Sequence, residues 1–195
     1  YQGTPVDFAA AAVDLVAKSS YWSTLATNAS VVFDGYSTVT LTATNPGLNV
    51  FNVTEAVWEA TSNKQIVNPY PNATLLINIA GTDVSQFGGL SYNGSQSPST
   101  AHGNVFYNYY QATMLTNNNI GILGSVLAPQ AALTLNGGGI NGNGIAASVL
   151  QQSGGEFHNF KFTGDLPYNP PVPEPGTATI FAVGAAIALA DGGRR

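Results

Sequence analysis

The sequence predicts a mainly β protein, specifically a β-solenoid with one long N-terminal α-helix packed alongside its coils. Apolar residues near the N-terminus recur with helical spacing, and residues 31–53 alternate between polar and apolar types. Residues 122–157 contain two copies of an 18-residue repeat, which is typical of stacked coils. The chain has 195 residues, of which 44% are hydrophobic, so we expect one folded domain with a sizeable core.

The first predicted element is an amphipathic helix over residues ~6–28. Its apolar face consists of Phe8, Ala12, Leu15, Trp22 and Leu25, spaced at i, i+4, i+7, i+14 and i+17. Asp7 lies at its cap or in its first turn, where a negative charge suits the helix dipole. We expect this helix to pack on a sheet.

The period then changes to two, which predicts strands near residues 31–33, 38–44 and 48–53. Turn sequences Asp34-Gly35 and Asn45-Pro46-Gly47 separate them. One face of the middle strand is a row of threonines, Thr38, Thr40, Thr42 and Thr44, opposite an apolar face. This row is either an ordinary half-exposed strand face or a flat hydroxyl-rich surface that binds ice or a glycan.

The middle of the chain combines polar and apolar segments. Residues 54–70 are predicted to form a polar turn region around Trp58, and residues 73–81 a strand buried on both faces. Residues 82–103 are rich in Gly, Ser and Pro and predict a long loop, and residues 104–115 predict another strand. Tyr92, Tyr107 and Tyr109 are candidates for stacking on sugar rings if exposed; packing in the core is the alternative.

The internal repeat aligns residues 122–139 with residues 140–157. Ile122 matches Ile140, Gly124 matches Gly142, Leu127 matches Ile145 and Ala128 matches Ala146. The spacing indicates successive coils of a solenoid with glycine at the corners, although a hairpin with two similar halves would give the same match. Asparagines near the predicted turns could stack as ladders; they are Asn117, Asn118, Asn119, Asn136, Asn141 and Asn143.

The charge and the cysteine content of the chain exclude several classes of function. The five basic residues cannot form a basic patch, which argues against nucleic acid as a partner, and the net charge of -5 argues against docking on an anionic membrane. The chain contains no cysteine, so disulfides, thiolate metal sites and cysteine nucleophiles are excluded.

Residues with catalytic potential are few. A triad of Ser125, His158 and Asp165 lacks a nucleophile elbow, and the pair Glu156 and His158 lacks a third metal ligand. The carboxylates of Glu55 and Glu59 would be one helical turn apart and are more simply interpreted as solvated. We therefore predict no enzyme activity, no catalytic residues, no metal site and no cofactor.

The C-terminal region divides into a proline-rich linker, residues 167–177, and an apolar tail, residues 178–195, after a domain of residues 1–166. The apolar run 178–190 would reach roughly 20 Å as a helix, short of the ~30 Å bilayer core. The motif Val172-Pro173-Glu174-Pro175, the apolar run and the terminal Arg194 and Arg195 resemble a PEP-CTERM sorting signal. The resemblance implies transient membrane contact through the tail, an exosortase-type processing protease as partner, and export to the surface or matrix of a Gram-negative bacterium that produces exopolysaccharide.

A second resemblance covers most of the domain. The segments VDFAAAAVDLVAKSS, ATLLINIAG, GILGSVLAPQAAL, INGNGIAAS and GEFHNFKFTGDLP are similar to the choice-of-anchor A family, and more loosely to the ice-binding β-solenoid fold. Members of the first family share one surface domain and differ in how they are anchored. The resemblance implies a structural or adhesive protein at the cell surface or in the extracellular matrix, with exopolysaccharide or a matrix protein as partner. A protein that binds ice or crystalline polysaccharide through the threonine row is the alternative, and self-assembly stays open.

Overall fold

The computed structural model describes residues 7–168 of the chain, and within them the protein is mainly β, as predicted. The predicted linker motif Val172–Pro175 and the terminal Arg194 and Arg195 lie outside the described residues. The helices are α1 (Phe8–Ser23), α2 (Glu55–Ala60) and α3 (Pro98–Ala101), with a 3₁₀ turn at His102–Asn104. The strands are β1 (Ser30–Phe33), β2 (Thr38–Thr42), β3 (Leu48–Val53), β4 (Asn63–Asn68), β5 (Thr74–Ile79), β6 (Asp83–Phe87), β7 (Gly89–Gly94), β8 (Val105–Asn108), β9 (Met114–Asn118), β10 (Gly121–Leu123), β11 (Ser125–Asn136), β12 (Gly139–Asn141), β13 (Gly144–Gln152) and β14 (Glu156–His158).

These strands form three sheets whose members alternate along the chain. The first has the order β1-β2-β4-β7, and the second has the order β3-β5-β8-β11-β9-β6, with β13 also paired to β11. The third has the order β10-β12-β14. The strand pairs are parallel, except for the antiparallel pair of β1 and β2. The chain therefore returns to each sheet in the same direction after visiting another sheet.

The predicted 18-residue repeat corresponds to direct strand pairing. Ile122 pairs with Ile140, and Leu127 and Ala128 pair with Ile145 and Ala146, all in parallel. A hairpin would be antiparallel, so that interpretation of the repeat is wrong. Within the first copy, between β10 and β11, Gly124 has a φ of +122°, and a Cβ there would meet the Val105 carbonyl oxygen at 2.5 Å. Only glycine fits this corner.

The main core lies between the first two sheets. Inward side chains of β2 and β4, such as Val39 and Ile66, share one cluster with inward side chains of β3, β5 and β8. The strand predicted over residues 73–81 is β5, and all six of its residues are buried, as expected. Its alternate residue Leu76 belongs to a second cluster with Trp22 on the opposite face of the sheet. Helix α1 and the outer face of the β1-β2-β4-β7 sheet therefore lie on opposite sides of the main core.

Helix α1 spans 16 residues and is shorter than the predicted helix over ~6–28. Asp7 is its N-cap, as predicted, and accepts a hydrogen bond from the Ala10 N–H. The helix ends early because Ser23 and Thr24 donate their hydroxyl protons to carbonyls three residues earlier, a local bond that competes with helix continuation. Leu15 and Trp22 pack on the sheet, whereas Phe8 is 80% exposed.

Two segments predicted as irregular are regular. The predicted loop over residues 82–103 contains β6, β7 and α3, and the predicted turn region over residues 54–70 contains α2 and β4. The prediction was wrong because inward positions of these strands carry polar side chains. Lys64, Asn68 and Gln86 are buried and hydrogen-bonded, so no apolar alternation marks the strands.

A C-terminal strap, residues 159–168, leaves β14 and crosses back to α1. The last strand is β14, and the strap is extended chain without strand pairing among residues 7–168. Along the strap, the Phe162 N–H first donates to Asn143 Oδ1. The N–H groups of Thr163 and Gly164 then donate to the Gly103 carbonyl, and the Asp165 N–H donates to Thr74 Oγ1. Trp22 Nε1 then donates to the Pro167 carbonyl at 2.7 Å, and the Tyr168 hydroxyl donates to Asp14 at 2.6 Å. Over the described residues, no helix has the length and apolar character to cross a bilayer.

Candidate functional site

The clearest candidate surface is the outer face of the β1-β2-β4-β7 sheet, which we call the threonine face. Thr38, Thr40 and Thr42 point outward and are half-buried, whereas Val39 and Leu41 between them are buried. The predicted alternation is therefore confirmed for β2. The face consists of Ser30, Val32, Thr38, Thr40, Thr42, Asn63, Gln65, Val67, Ser91 and Asn93.

The threonine face is a regular array of uncharged groups. Thr40 is in register with Gln65 and Ser91, and the adjacent row aligns Thr42 with Val67 and Asn93. Rows on neighbouring strands are about 4.8 Å apart, and outward residues on one strand repeat every ~6.7 Å. Hydroxyl and amide groups at such spacing can bind a ligand whose own hydroxyls repeat, without charge attraction.

Three of the four predicted threonines have side-chain hydrogen bonds within the protein, of which the bond of Thr38 is to Asp34. Thr44 lies beyond the end of β2, and its hydroxyl donates to the Asn28 carbonyl at 2.7 Å. It is therefore a structural residue and not part of the array. Thr40 Oγ1 lies 3.5 Å from Gln65 Oε1, which is the outer limit of a hydrogen bond, so this contact is weak.

The two strands that carry half of the threonine face were missed from the sequence. Asn63 and Gln65 are on β4, and Ser91 and Asn93 are on β7, two strands that were assigned to irregular segments. A weak signal was present in NKQIVN, because Lys64, Ile66 and Asn68 alternate with the outward residues. Since two of these three inward residues are polar, the alternation does not separate polar from apolar types.

The predicted stacking tyrosines are not exposed platforms. Tyr107 and Tyr109 are fully buried, so the prediction that they stack on sugars is wrong and the core interpretation is confirmed. Tyr92 points inward and packs against the core, and its hydroxyl accepts a hydrogen bond from Asn68. Burial raises the pKa of all three hydroxyl groups.

A network of hydrogen bonds explains why several polar side chains are stable in the protein interior. Trp58 Nε1 and the Tyr109 hydroxyl both donate to Gln86 Oε1, at 2.9 and 2.5 Å. Gln86 Nε2 donates to Asn117 Oδ1, whose own amide donates to the Ile120 carbonyl. Each polar group of this network has a partner, so it stabilises the interior instead of marking a ligand site.

Lys64 is the one buried lysine of the described residues. Its ammonium donates to the carbonyls of Thr61 and Phe87 and lies 5.0 Å from the centre of the Trp58 ring. Neither salt bridge found between residues 7 and 168 involves it. Burial lowers the pKa of Lys64 to about 8, because carbonyl oxygens and a ring replace water only in part.

Asparagine ladders do occur, mostly at positions that were not predicted. Of the predicted set, Asn136 donates to Asn118 at 3.3 Å. A longer ladder crosses β3, β5 and β8, where Asn108 donates to Asn78 at 2.9 Å and Asn78 donates to Asn52 at 2.8 Å. The amides of the three also donate to the carbonyls of Ser19 and Trp22 in α1 and of Leu25 just after it. The ladder therefore fixes the helix to the sheet.

The residues considered for catalysis have separate structural partners. The two ring nitrogens of His158 contact Asn141 at 2.6 Å and Glu156 at 2.9 Å. Ser125 is buried and accepts from the Asn143 N–H. Within residues 7–168 no group of three or more potential ligands could hold a metal ion.

The two candidate carboxylates lie on α2, so the predicted one-turn spacing is correct. Glu59 accepts a hydrogen bond from the Ser85 N–H. Glu55 lies against Gly81, where a Cβ would meet its carboxylate at 2.6 Å. Both are half-buried structural neighbours of β6 and its preceding turn, not a solvated pair.

Comparison with known proteins adds one finding. A family model described as "Putative Ice-binding-like adhesive domain" matches residues 1–159. No curated protein and no solved structure matches the chain.

Proposed function

The chain belongs to the ice-binding-like adhesive domain family, and from this membership we propose that it is a non-enzymatic adhesin of the cell surface or extracellular matrix. The match covers α1 and the strands from β1 to β14, so the adhesive assignment concerns all three sheets and not one segment. The non-enzymatic part is supported by His158, Ser125 and Glu59, which are engaged in hydrogen bonds within the protein.

The threonine face is the proposed contact surface, and exopolysaccharide is the proposed ligand. The main support for this proposal is the array of hydroxyl and amide groups on β2, β4 and β7. The outward positions of these strands have no charged side chain. A neutral polysaccharide offers repeating hydroxyls that exchange hydrogen bonds with such groups. An anionic matrix protein or nucleic acid would instead need basic residues, and the chain has five in all.

The finer assignments are part of the same proposal. Parallel pairing of successive rungs at an 18-residue offset supports a β-solenoid, with α1 packed on one side. The choice-of-anchor A resemblance supports a surface domain whose tail decides its attachment. The order Val172–Pro175, apolar run, Arg194 and Arg195 supports a PEP-CTERM signal, an exosortase-type protease and export in a Gram-negative bacterium.

The test is binding of the purified protein to exopolysaccharide from the producing bacterium. Thr40→Tyr places a ring in the centre of the threonine face, and we expect at least a tenfold loss of binding. Ala17→Tyr places the same ring on the exposed side of α1 and should bind like the original chain. Equal binding by both variants would exclude the threonine face. Release of shortened or unsaturated sugars during incubation would show an enzyme.

Ice or crystalline polysaccharide is the second candidate, favoured by the regularity of the array. The outward side chains are ~4.8 Å apart between strands and ~6.7 Å apart along a strand, and a crystal lattice with a fixed repeat can match these spacings over several strands. A flexible polysaccharide gains less binding energy from such regularity. Thermal hysteresis that is lost in Thr40→Tyr would identify ice as the ligand. Pelleting with crystalline but not soluble polysaccharide would identify the crystalline form.

A further inference from the structure

The two ends of the stacked strands differ in how their edges are covered. At the N-terminal end, β1 pairs antiparallel with β2 and covers its free edge. Asn28 covers β3, because it accepts from the Val50 N–H and donates through its backbone and side chain to the carbonyls of Val50 and Leu48. Beside β6, Glu59 of α2 accepts the Ser85 N–H. Strands β2, β3 and β6, which come first in their stacks in the two larger sheets, therefore have a cover.

The C-terminal end has no such cover among residues 7–168. The last long strand, β13, pairs only with β11, and β14 pairs only with β12. The strap does not cover the free edge of β13, because its hydrogen bonds go to Asn143, Gly103, Thr74 and α1. Residues 147–152 of β13 are exposed, including Val149 at 49% and Leu150 at 57%.

The composition of this edge favours pairing instead of preventing it. Natural edge strands are usually protected by lysine, proline, a bulge or a short length. The free strand β13 spans nine residues, Gly144–Gln152, and carries neither charge nor proline, although its register with β11 shifts between Ala146 and Ser148. In antiparallel pairing, nine residues can form about nine backbone hydrogen bonds, which is near the ~10 of an ordinary protein interface.

We propose that the occupant of the β13 edge is a second copy of this chain, paired antiparallel through the same strand. Within residues 7–168 the second sheet is open at β13, whereas Asn28 and Glu59 lie against its strands β3 and β6, so the contact uses the same surface on both copies and closes at two. A head-to-tail filament of this sheet would require an open edge at β3 or β6, where Asn28 and Glu59 lie. The absence of charge on β13 means that the two-fold axis brings no like charges together. This inference does not depend on the ligand of the threonine face.

The test is the mass of the full chain in solution by light scattering after size-exclusion chromatography. We expect twice the 20.1 kDa of one chain, independent of further increases in concentration. Val149→Lys and Leu150→Lys place repelling charges at the exposed edge without disturbing the core, and both should be monomeric. Ser20→Lys adds the same charge to exposed α1 and should remain dimeric. A monomeric original chain, a mass that keeps growing, or dimeric edge variants would each overturn the proposal.

A second measurement reports the geometry. The sequence has no cysteine, so single cysteines at Ala147, Ser148 and Val149 probe the middle of β13 without side reactions. Facing residues of antiparallel strands have Cα atoms about 4.5–5.5 Å apart, within the range of a disulfide. At least one of the three variants should form a covalent dimer on mild oxidation, whereas Ser91→Cys on the threonine face should not. Failure of all three, or equal crosslinking of Ser91→Cys, would exclude this pairing.

Discussion

Asn108 and Ser19 are joined by two hydrogen bonds that run in opposite directions. The Ser19 hydroxyl donates to Asn108 Oδ1 at 2.6 Å, and Asn108 Nδ2 donates to the Ser19 carbonyl at 2.9 Å. Both residues are buried, and they are 89 positions apart in the sequence. The contact joins the middle of α1 to β8 and forms one end of the asparagine ladder.

Replacing Asn108 with alanine should destabilise the fold by about 3 kcal/mol, because it leaves the Ser19 hydroxyl and carbonyl and the Asn78 oxygen without a buried partner. Asn52→Ala, at the exposed end of the same ladder, should cost about 1 kcal/mol. Urea unfolding measures both variants. Equal costs would mean that solvent replaces the lost bonds at both ends.

Trp22→Phe should release the strap while leaving the strands paired. The variant keeps an aromatic ring beside Phe106 but loses the bond from Nε1 to the Pro167 carbonyl. We expect a cost of about 1 kcal/mol and faster amide hydrogen exchange over residues 162–168. Trp58→Phe is the matched control, because it loses a bond to Gln86 in the core and should not accelerate exchange in the strap selectively.

The stability of the protein should rise with pH above about 8. The pKa of Lys64 is lowered from 10.5 to about 8 in the folded protein. Between pH 8 and pH 10.5 the unfolded chain therefore binds more protons than the folded protein, and the free energy of unfolding increases with pH by at most about 3 kcal/mol. Above pH ~10 the trend reverses, because burial raises the pKa of Tyr107 and Tyr109 and keeps them protonated only in the folded protein.

Lys64→Met should abolish the rise, as measured by urea unfolding between pH 7 and pH 10. Methionine fills a similar volume without a charge that needs water. Lys18→Met removes a lysine that is paired with Asp14 at the surface, and it should keep the rise. A pH profile of Lys64→Met that matches the original chain would show that another group is responsible.

Asp34 should stabilise the turn before β2 only when it is ionised. Its Oδ1 accepts hydrogen bonds from the N–H groups of Tyr36, Ser37 and Thr38 at 2.8–3.0 Å, which lower the pKa of Asp34 to about 2. The contribution is complete above the unfolded pKa of about 3.9 and is lost as the pH falls towards 2. Asp34→Ala should therefore melt at a lower temperature than the original chain at pH 7, and the difference should shrink at pH 2.

The control for Asp34 is asparagine, which keeps an acceptor oxygen but does not titrate. Asp34→Asn should lie between the other two proteins at pH 7 and should show the weakest dependence on acid. A difference between Asp34→Ala and the original chain that stays constant from pH 7 to pH 2 would contradict a role for the ionised carboxylate.

The parts of the fold that sequence predicts well are those where polar and apolar residues separate cleanly. Thr38, Thr40 and Thr42 alternate with Val39 and Leu41, and Ile122 and Ile140 are paired in the adjacent parallel strands β10 and β12. In both cases the apolar residue marks the side that faces the core.

The parts that sequence misses depend on partners distant along the chain. Gln86 is buried because Trp58, Tyr109 and Asn117 satisfy its amide, and none of them is a near neighbour in sequence. Asn78 is the polar residue in the apolar run ATLLINIAG. Its role in the asparagine ladder depends on its hydrogen bonds to α1 and β3, which the local sequence does not show. From the sequence alone, Tyr107 and Tyr109 are equally consistent with binding residues and with core residues, because the strand pairing decides which face they are on.

The strap also decides where mechanical load enters the domain. Tension on the chain beyond residue 168 would first reach α1, through the Tyr168 bond to Asp14 and the Trp22 bond to Pro167, and not the final strand β14. From α1 the force would spread through Trp22 and the asparagine ladder into three strands at once. A domain held by its C-terminus would thus resist drag as a unit, with its outer sheet on the far side of the core from the tether.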